Sequence, residues 1–152
     1  MVTVSELTDV TDSALEALAR LLPQLSSSAS AVTPDELGEM VRSDASRLLV
    51  ASLDDGTIVG SLTLVVFRIP TGVRAWIEDV VVDEQIRGTG AGAALNRAAI
   101  DLAYSLGARS IDLTSRPSRV AANALYRKLG FEERQTNIYR HNPEADPTTR
   151  DA

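Results

Sequence analysis

Val80-Val81-Val82-Asp83-Glu84-Gln85-Ile86-Arg87-Gly88-Thr89-Gly90-Ala91-Gly92 decides how this chain folds, because a strand, a turn and a helix meet inside it. Val73 to Val82 is rich in β-branched residues and reads as a strand whose Val80-Val81-Val82 end is buried and central. From 90 to 106 the apolar residues switch to helical period, with Leu95, Ala98, Leu102 and Leu106 on one face and Gly107 placed to terminate the helix. Between them lie the alternating glycines. Gly88 and Gly90 have no Cβ, so they can take positive φ and let main-chain N–H groups approach a ligand, while the helix start adds unpaired donors and partial positive charge. A diphosphate suits that environment, and the guanidinium of Arg87 can add a forked contact to its oxygens.

Two other phosphate-binding patterns must be weighed. No Gly-Lys-Ser/Thr closes the loop, which argues against a Walker loop. Gly88, Gly90 and Ala93, with Asp112 about 20 residues on, do satisfy the looser dinucleotide fingerprint. That fold needs further strand–helix units after the fingerprint, and only about 60 residues remain. The strands before residue 82 also read as antiparallel hairpins, which do not belong in an open parallel sheet.

Upstream, Leu48 to Leu53, the turn Asp54-Asp55-Gly56 and Thr57 to Phe67 form a hairpin, and Pro70-Thr71-Gly72 turns the chain into the strand that ends at Val82. Two helices come earlier. One carries Leu15, Leu18, Leu22 and Leu25 behind a Ser13/Glu16 capping box; the other opens at Thr33-Pro34-Asp35-Glu36, with Thr as cap and Pro at the first helical position. Ser26 to Ser30 is the loop between them. Downstream, Ser110 to Thr114 is a short strand, Arg119 to Leu129 a helix ended by Gly130, and Phe131 to about His141 a last strand. The order is strand, two helices, three meandering strands, helix, strand, helix, strand. The fold class is therefore α+β, a mixed, mostly antiparallel central sheet flanked by helices. Residues 1–141 are expected to form a single domain, and 142–152 a disordered tail.

The 152 residues suffice for one well-buried core. Without cysteine, the chain has no disulfide framework, thiolate metal site or cysteine nucleophile. No basic n-region with an apolar h-region opens it and no apolar run approaches 18 residues, so the expected location is cytoplasmic, with no membrane partner. The net charge of −6 argues against nucleic acid. The signs also separate: residues 1–57 carry ten Asp/Glu against three Lys/Arg, and 58–141 carry eight against eleven. An anionic ligand suits the later segment.

Arg87-Gly88-Thr89-Gly90-Ala91-Gly92, with Gln85 ahead of it, resembles the Q/R-x-x-G-x-G/A motif of the GNAT acyl-CoA N-acyltransferases. Asn123-Ala124-Leu125-Tyr126-Arg127-Lys128-Leu129-Gly130-Phe131 is similar to their second signature, in the right order and at a matching separation. The specific resemblance covers about residues 73–133. It implies acetyl-CoA as cosubstrate, no metal, an amine acceptor as the other partner, and the possibility of a homodimer. It further implies that the main chain of Ile86, Arg87, Gly88, Thr89, Gly90, Ala91 and Gly92 binds the coenzyme A diphosphate, with Gln85 and Arg87 flanking it. By the same resemblance Val80, Val81 and Val82 offer backbone to the pantetheine arm as if to an added strand. Asn123 would contact the cofactor, and Tyr126 would sit near the thioester sulfur.

Spacing supports the last two independently. Arg119, Asn123 and Tyr126 fall at i, i+4 and i+7 on one helix face, with Ala121, Leu125 and Leu129 on another. Transfer to an amine needs an acid for the leaving thiolate, and Tyr126 is the catalytic candidate for it. A main-chain N–H at or beside Val82 can polarise the carbonyl. Trp76-Ile77-Glu78-Asp79-Val80 puts two carboxylates on opposite faces of a strand; the family layout favours Glu78 as catalytic base, with Asp79 the substitute. The simpler structural reading is that Glu78 pairs with an arginine such as Arg74 or lies on an exposed sheet face. His141 reads as a surface residue. The competing class of function is a non-catalytic acyl-CoA sensor or protein-interaction domain that keeps the cleft without the chemistry.

Overall fold

A computed structural model describes residues 1–143, so the expected disordered tail falls, apart from its first two residues, outside the described part. Strands β1 (Thr3–Glu6), β2 (Ser46–Ser52), β3 (Ile58–Ile69), β4 (Gly72–Val82) and β5 (Ile111–Asp112) lie in that order across one sheet. The first four are antiparallel neighbours, and β5 runs parallel to β4. Helices α1 (Asp12–Leu25) and α2 (Pro34–Arg42) precede β2, α3 (Ala91–Ser105) crosses from β4 to β5, and α4 (Val120–Lys128) follows β5.

The sheet has apolar residues on both faces, and each face has its own cluster. On one, Ala91, Leu95, Ala99 and Ala103 of α3 pack on Leu49, Leu62, Leu64, Ala75 and Ile77. On the other, Ala14, Ala17, Leu18 and Leu21 of α1 and Leu37 of α2 cover Leu48, Val50 and Val81. The buried stripe of α3 is thus mostly alanine with Leu95 among it; of the rest of the expected face, Ala98 and Leu102 pack at the edge of the cluster and Leu106 is 38% exposed. Small side chains let this helix lie close on the sheet.

Two helix starts divide. Thr33 caps α2 through a complete capping box with Glu36, as its sequence dictates. For α1 the cap is Thr11, whose hydroxyl accepts from the Ala14 amide at 3.1 Å, and Ser13 lies inside the helix. The S-x-x-E spacing of Ser13 and Glu16 therefore marked the first turn but missed its cap by two residues. The expected last strand does not form: Phe131 to His141 carries no ladder among the described residues, and at its start the Phe131 N–H donates to the Tyr126 carbonyl. Fold-back bonding at the end of α4 has captured the start of that segment, and no described strand lies beyond β5 to receive the rest.

Candidate active site

The β4–β5 ladder holds only Ala75↔Ile111 and Trp76↔Asp112, after which β4 runs on to Val82 paired with β3 but open on its β5 edge. A cleft opens where the two strands part. The Asp83 amide donates to the Val59 carbonyl at 2.8 Å on the β3 side. Alternation then turns the main-chain polar groups of Val82, and of Val80 two residues back, toward the open side. Val81 directs its main chain to β3 and its side chain into the core under α1. Of the three valines, Val80 and Val82 are the ones with free backbone to offer.

A β-bulge sets the other wall. Ser61 faces Val81 and Thr63 faces Glu78, so Leu62 opposes both Asp79 and Val80. Asp79 absorbs the extra residue at φ 50°. The register slip exchanges faces: Ala75 and Ile77 point into the α3 cluster before the bulge, whereas Val80 and Val82 do so after it. Strict alternation across Glu78 and Asp79 therefore does not hold, and both carboxylates are exposed and line the cleft. Neither has an ion pair among the described residues; Arg74 instead turns to Thr71 and to the Val73 carbonyl.

The cleft encloses about 150 Å³ between the bulge, the end of α1 at Leu25, Leu113 and Thr114 after β5, and Arg119 and Tyr126 of α4. Tyr126 is 7% exposed and stands edge-on to Phe131, ring centroids 5.9 Å apart. Burial holds its phenol above the ordinary value, and the charge of Arg119 pulls the other way. No described residue hydrogen-bonds the Tyr126 hydroxyl. Asn123, half-buried one turn earlier, donates to the Arg116 carbonyl at 3.0 Å and so ties down the loop into α4. Arg119, at the helix start, is exposed; so is Ala121, which therefore does not pack with Leu125 and Leu129 as expected.

The loop matches the chemistry its sequence suggested. Gln85 is exposed in the middle of a short 3-10 turn, Glu84–Ile86, and Arg87 is exposed with no ion pair among the described residues. Gly88 and Gly90 sit at φ 85° and 87°, and a Cβ on either would meet open space. No side chain caps α3, so the first-turn amides of Ala91, Gly92 and Ala93 have no intrahelical partner. Thr89 folds back, its hydroxyl donating to the Ile86 carbonyl at 2.7 Å. A Cβ at Gly92 would lie 3.5 Å from Leu125, so the two motifs pack against each other. Positive-φ glycines, uncapped amides and an unpaired arginine fit a diphosphate, and the open β4 edge fits an amide-bearing arm leading from it.

Residues 14–131 match the model of the Acetyltransferase (GNAT) family, and the chain belongs to that family. Its chemistry is acetyl transfer with acetyl-CoA as cosubstrate. Among solved structures, the chain is similar to a transcriptional regulator from Bacillus halodurans C-125, at 27% identity and a TM-score of 0.81 over 93% of this chain and 100% of that one. An acetyltransferase from Trypanosoma brucei is also 27% identical, with a TM-score of 0.75 over 93% and 100% of the two chains. Glucosamine-6-phosphate N-acetyltransferase from Arabidopsis thaliana shares the fold at 21% identity and a TM-score of 0.77, over 93% and 98%. No curated protein matches the chain. Among the described residues no helix is long and apolar enough to cross a membrane.

Sequence reading missed the bulge, the contributions of Leu25, Leu113 and Thr114 to the cleft, and the ties that hold the loop base. Only the last left a trace: Asp83 directly after a valine run is a cap signal for the 3-10 turn.

Proposed function

We propose that residues 1–141 act as one N-acetyltransferase unit that moves the acetyl group of acetyl-CoA to a primary amine of a small molecule or peptide, by direct attack in a ternary complex. Acetyl-CoA supplies the acetyl group activated as a thioester. The amides from Arg87 to Gly92, with the side chains of Gln85 and Arg87 beside them, hold the diphosphate, Ile86 anchoring the loop through its own amide to the Asp83 carbonyl, and Asn123 contacts the arm from α4. Val80 and Val82 present main-chain groups along β4, where the Val82 N–H can polarise the carbonyl. Glu78 accepts the amine proton, and Tyr126 donates its hydroxyl proton to the departing sulfur.

The observation that carries this reading is Tyr126, whose ring is buried while its hydroxyl, bonded to no described residue, shares a cleft with both bulge carboxylates. That hydroxyl is free to donate to a sulfur bound in the cleft. Amines are favoured as acceptors by Glu78 and Asp79 on the cleft wall and by the acidity of residues 1–57, of which Leu25 at the end of α1 lines the cleft. The test is release of free thiol from acetyl-CoA across a panel of amines, wild type beside Tyr126→Phe. Turnover with at least one amine, lost in the variant, is expected. Tight coenzyme A binding with no turnover for any amine would favour a non-catalytic acyl-CoA sensor.

A further inference from the structure

We propose that Arg20 and Gln24 of α1 are positioning residues for the diphosphate loop, Arg20 acting through Asp83. The idea rests on the loop reading given above and adds what holds that loop in shape. Asp83 is the residue between β4 and the loop, and it is 9% exposed. Every polar group it has is engaged. One carboxylate oxygen accepts from Arg20 Nε at 3.2 Å and the other from the Gln85 amide at 3.1 Å. Its carbonyl accepts from the Ile86 amide at 2.9 Å, and its own amide donates to Val59. A second guanidinium nitrogen of Arg20 donates to the Ile58 carbonyl at the start of β3. One turn along α1, the Gln24 carbonyl oxygen accepts from the Glu84 amide at 2.9 Å while its amide donates to the Arg20 carbonyl at 3.2 Å.

The amides of Glu84 and Gln85 are thus fixed by side chains, the first from α1 and the second from Asp83, itself held by α1. Beyond Ile86 only the Thr89 fold-back restrains the loop before α3, and two of its residues are glycines free in φ. A loop whose amides must converge on an anion binds more tightly when its entry is already fixed. Charge adds a second reason. Asp83 puts a carboxylate at the base of an anion site, and Arg20 is the cation paired with it among the described residues. Without Arg20 that nearly buried carboxylate would be uncompensated and would oppose a diphosphate nearby.

The experiment compares binding of coenzyme A with binding of acetyl-pantetheine, which has no diphosphate, by calorimetry on the full chain. Arg20→Ala and Gln24→Ala are each expected to raise the coenzyme A dissociation constant, on the order of tenfold for Arg20→Ala, with acetyl-pantetheine unaffected. Adding Asp83→Asn to Arg20→Ala removes the stranded charge while keeping an acceptor for the Gln85 amide, so it is expected to restore part of the affinity. Arg20→Lys, which keeps the charge but not the fork, should fall between wild type and Arg20→Ala, and it carries the test should Arg20→Ala fail to fold. Unchanged coenzyme A affinity in folded variants, or an equal loss for both ligands, would overturn the proposal. A wild type that binds no coenzyme A would instead overturn the loop reading beneath it.

Discussion

Replacing Tyr126 by Phe removes one oxygen and leaves the buried ring in its edge-on contact with Phe131. That hydroxyl has no hydrogen-bond partner among the described residues, so the substitution strands no donor or acceptor. The folding cost should stay below the roughly 0.5–1.5 kcal/mol that a lost hydrogen bond carries. For a chain of this size that is a melting shift of no more than about 3–6 °C. A positioned general acid contributes about 10²- to 10⁴-fold in rate, or roughly 2.7–5.4 kcal/mol of barrier. The two effects are separable, since the loss in turnover should exceed any loss in stability several-fold. Thiol release with a chromogenic disulfide suits this protein because the chain has no cysteine to react. A fall of at least 100-fold in kcat, with the melting temperature held, is expected. A fall of less than about tenfold in a normally folded variant would refute the acid role.

The remaining predictions concern the wall, the loop and pH. Glu78→Gln should cost roughly 10²-fold in kcat, with Asp79→Asn much milder; the reverse order would make Asp79 the base. Gly90→Val forces a β-branched residue into φ 87°, where its Cβ meets open space in the unliganded chain. Circular dichroism should therefore remain native while coenzyme A binding weakens by at least about tenfold, for a strain on the order of 1–2 kcal/mol. For Tyr126, burial raises the folded-state pKa above the ordinary 10.0. The stability it contributes is complete below that ordinary value and is lost as pH rises through the folded one. Alkaline melting curves should fall more steeply above pH 10 for wild type than for Tyr126→Phe, and coincident curves would contradict that.

Much of this was legible because the informative residues act locally. Gly88, Gly90 and the Thr33/Glu36 box each constrain their own backbone, so spacing alone locates the loop and the start of α2. Tyr126 and Asn123 were placed on one helix face by period, and it is Leu125, on another face of that helix, that packs near Gly92 of the loop. The rest depends on partners far along the chain. Nothing in Glu78-Asp79-Val80 announces a bulge, which arises from how β4 must register against Leu62 of β3. Ala91, Ala99 and Ala103 share the buried stripe of α3 with Leu95 because they let the helix approach the sheet closely, which apolar period does not reveal. Arg20 reads as an ordinary helix-surface cation, and its hold on Asp83 spans 63 residues. Phe131 to His141 has strand-like residues, but a strand needs a neighbour, which composition cannot supply.

The account rests on main-chain amides between Ile86 and Gly92 gripping a diphosphate at the mouth of α3. Calorimetric titration of the purified chain with coenzyme A tests this most directly. The account predicts saturable one-to-one binding that an excess of inorganic pyrophosphate weakens; a flat titration would contradict it.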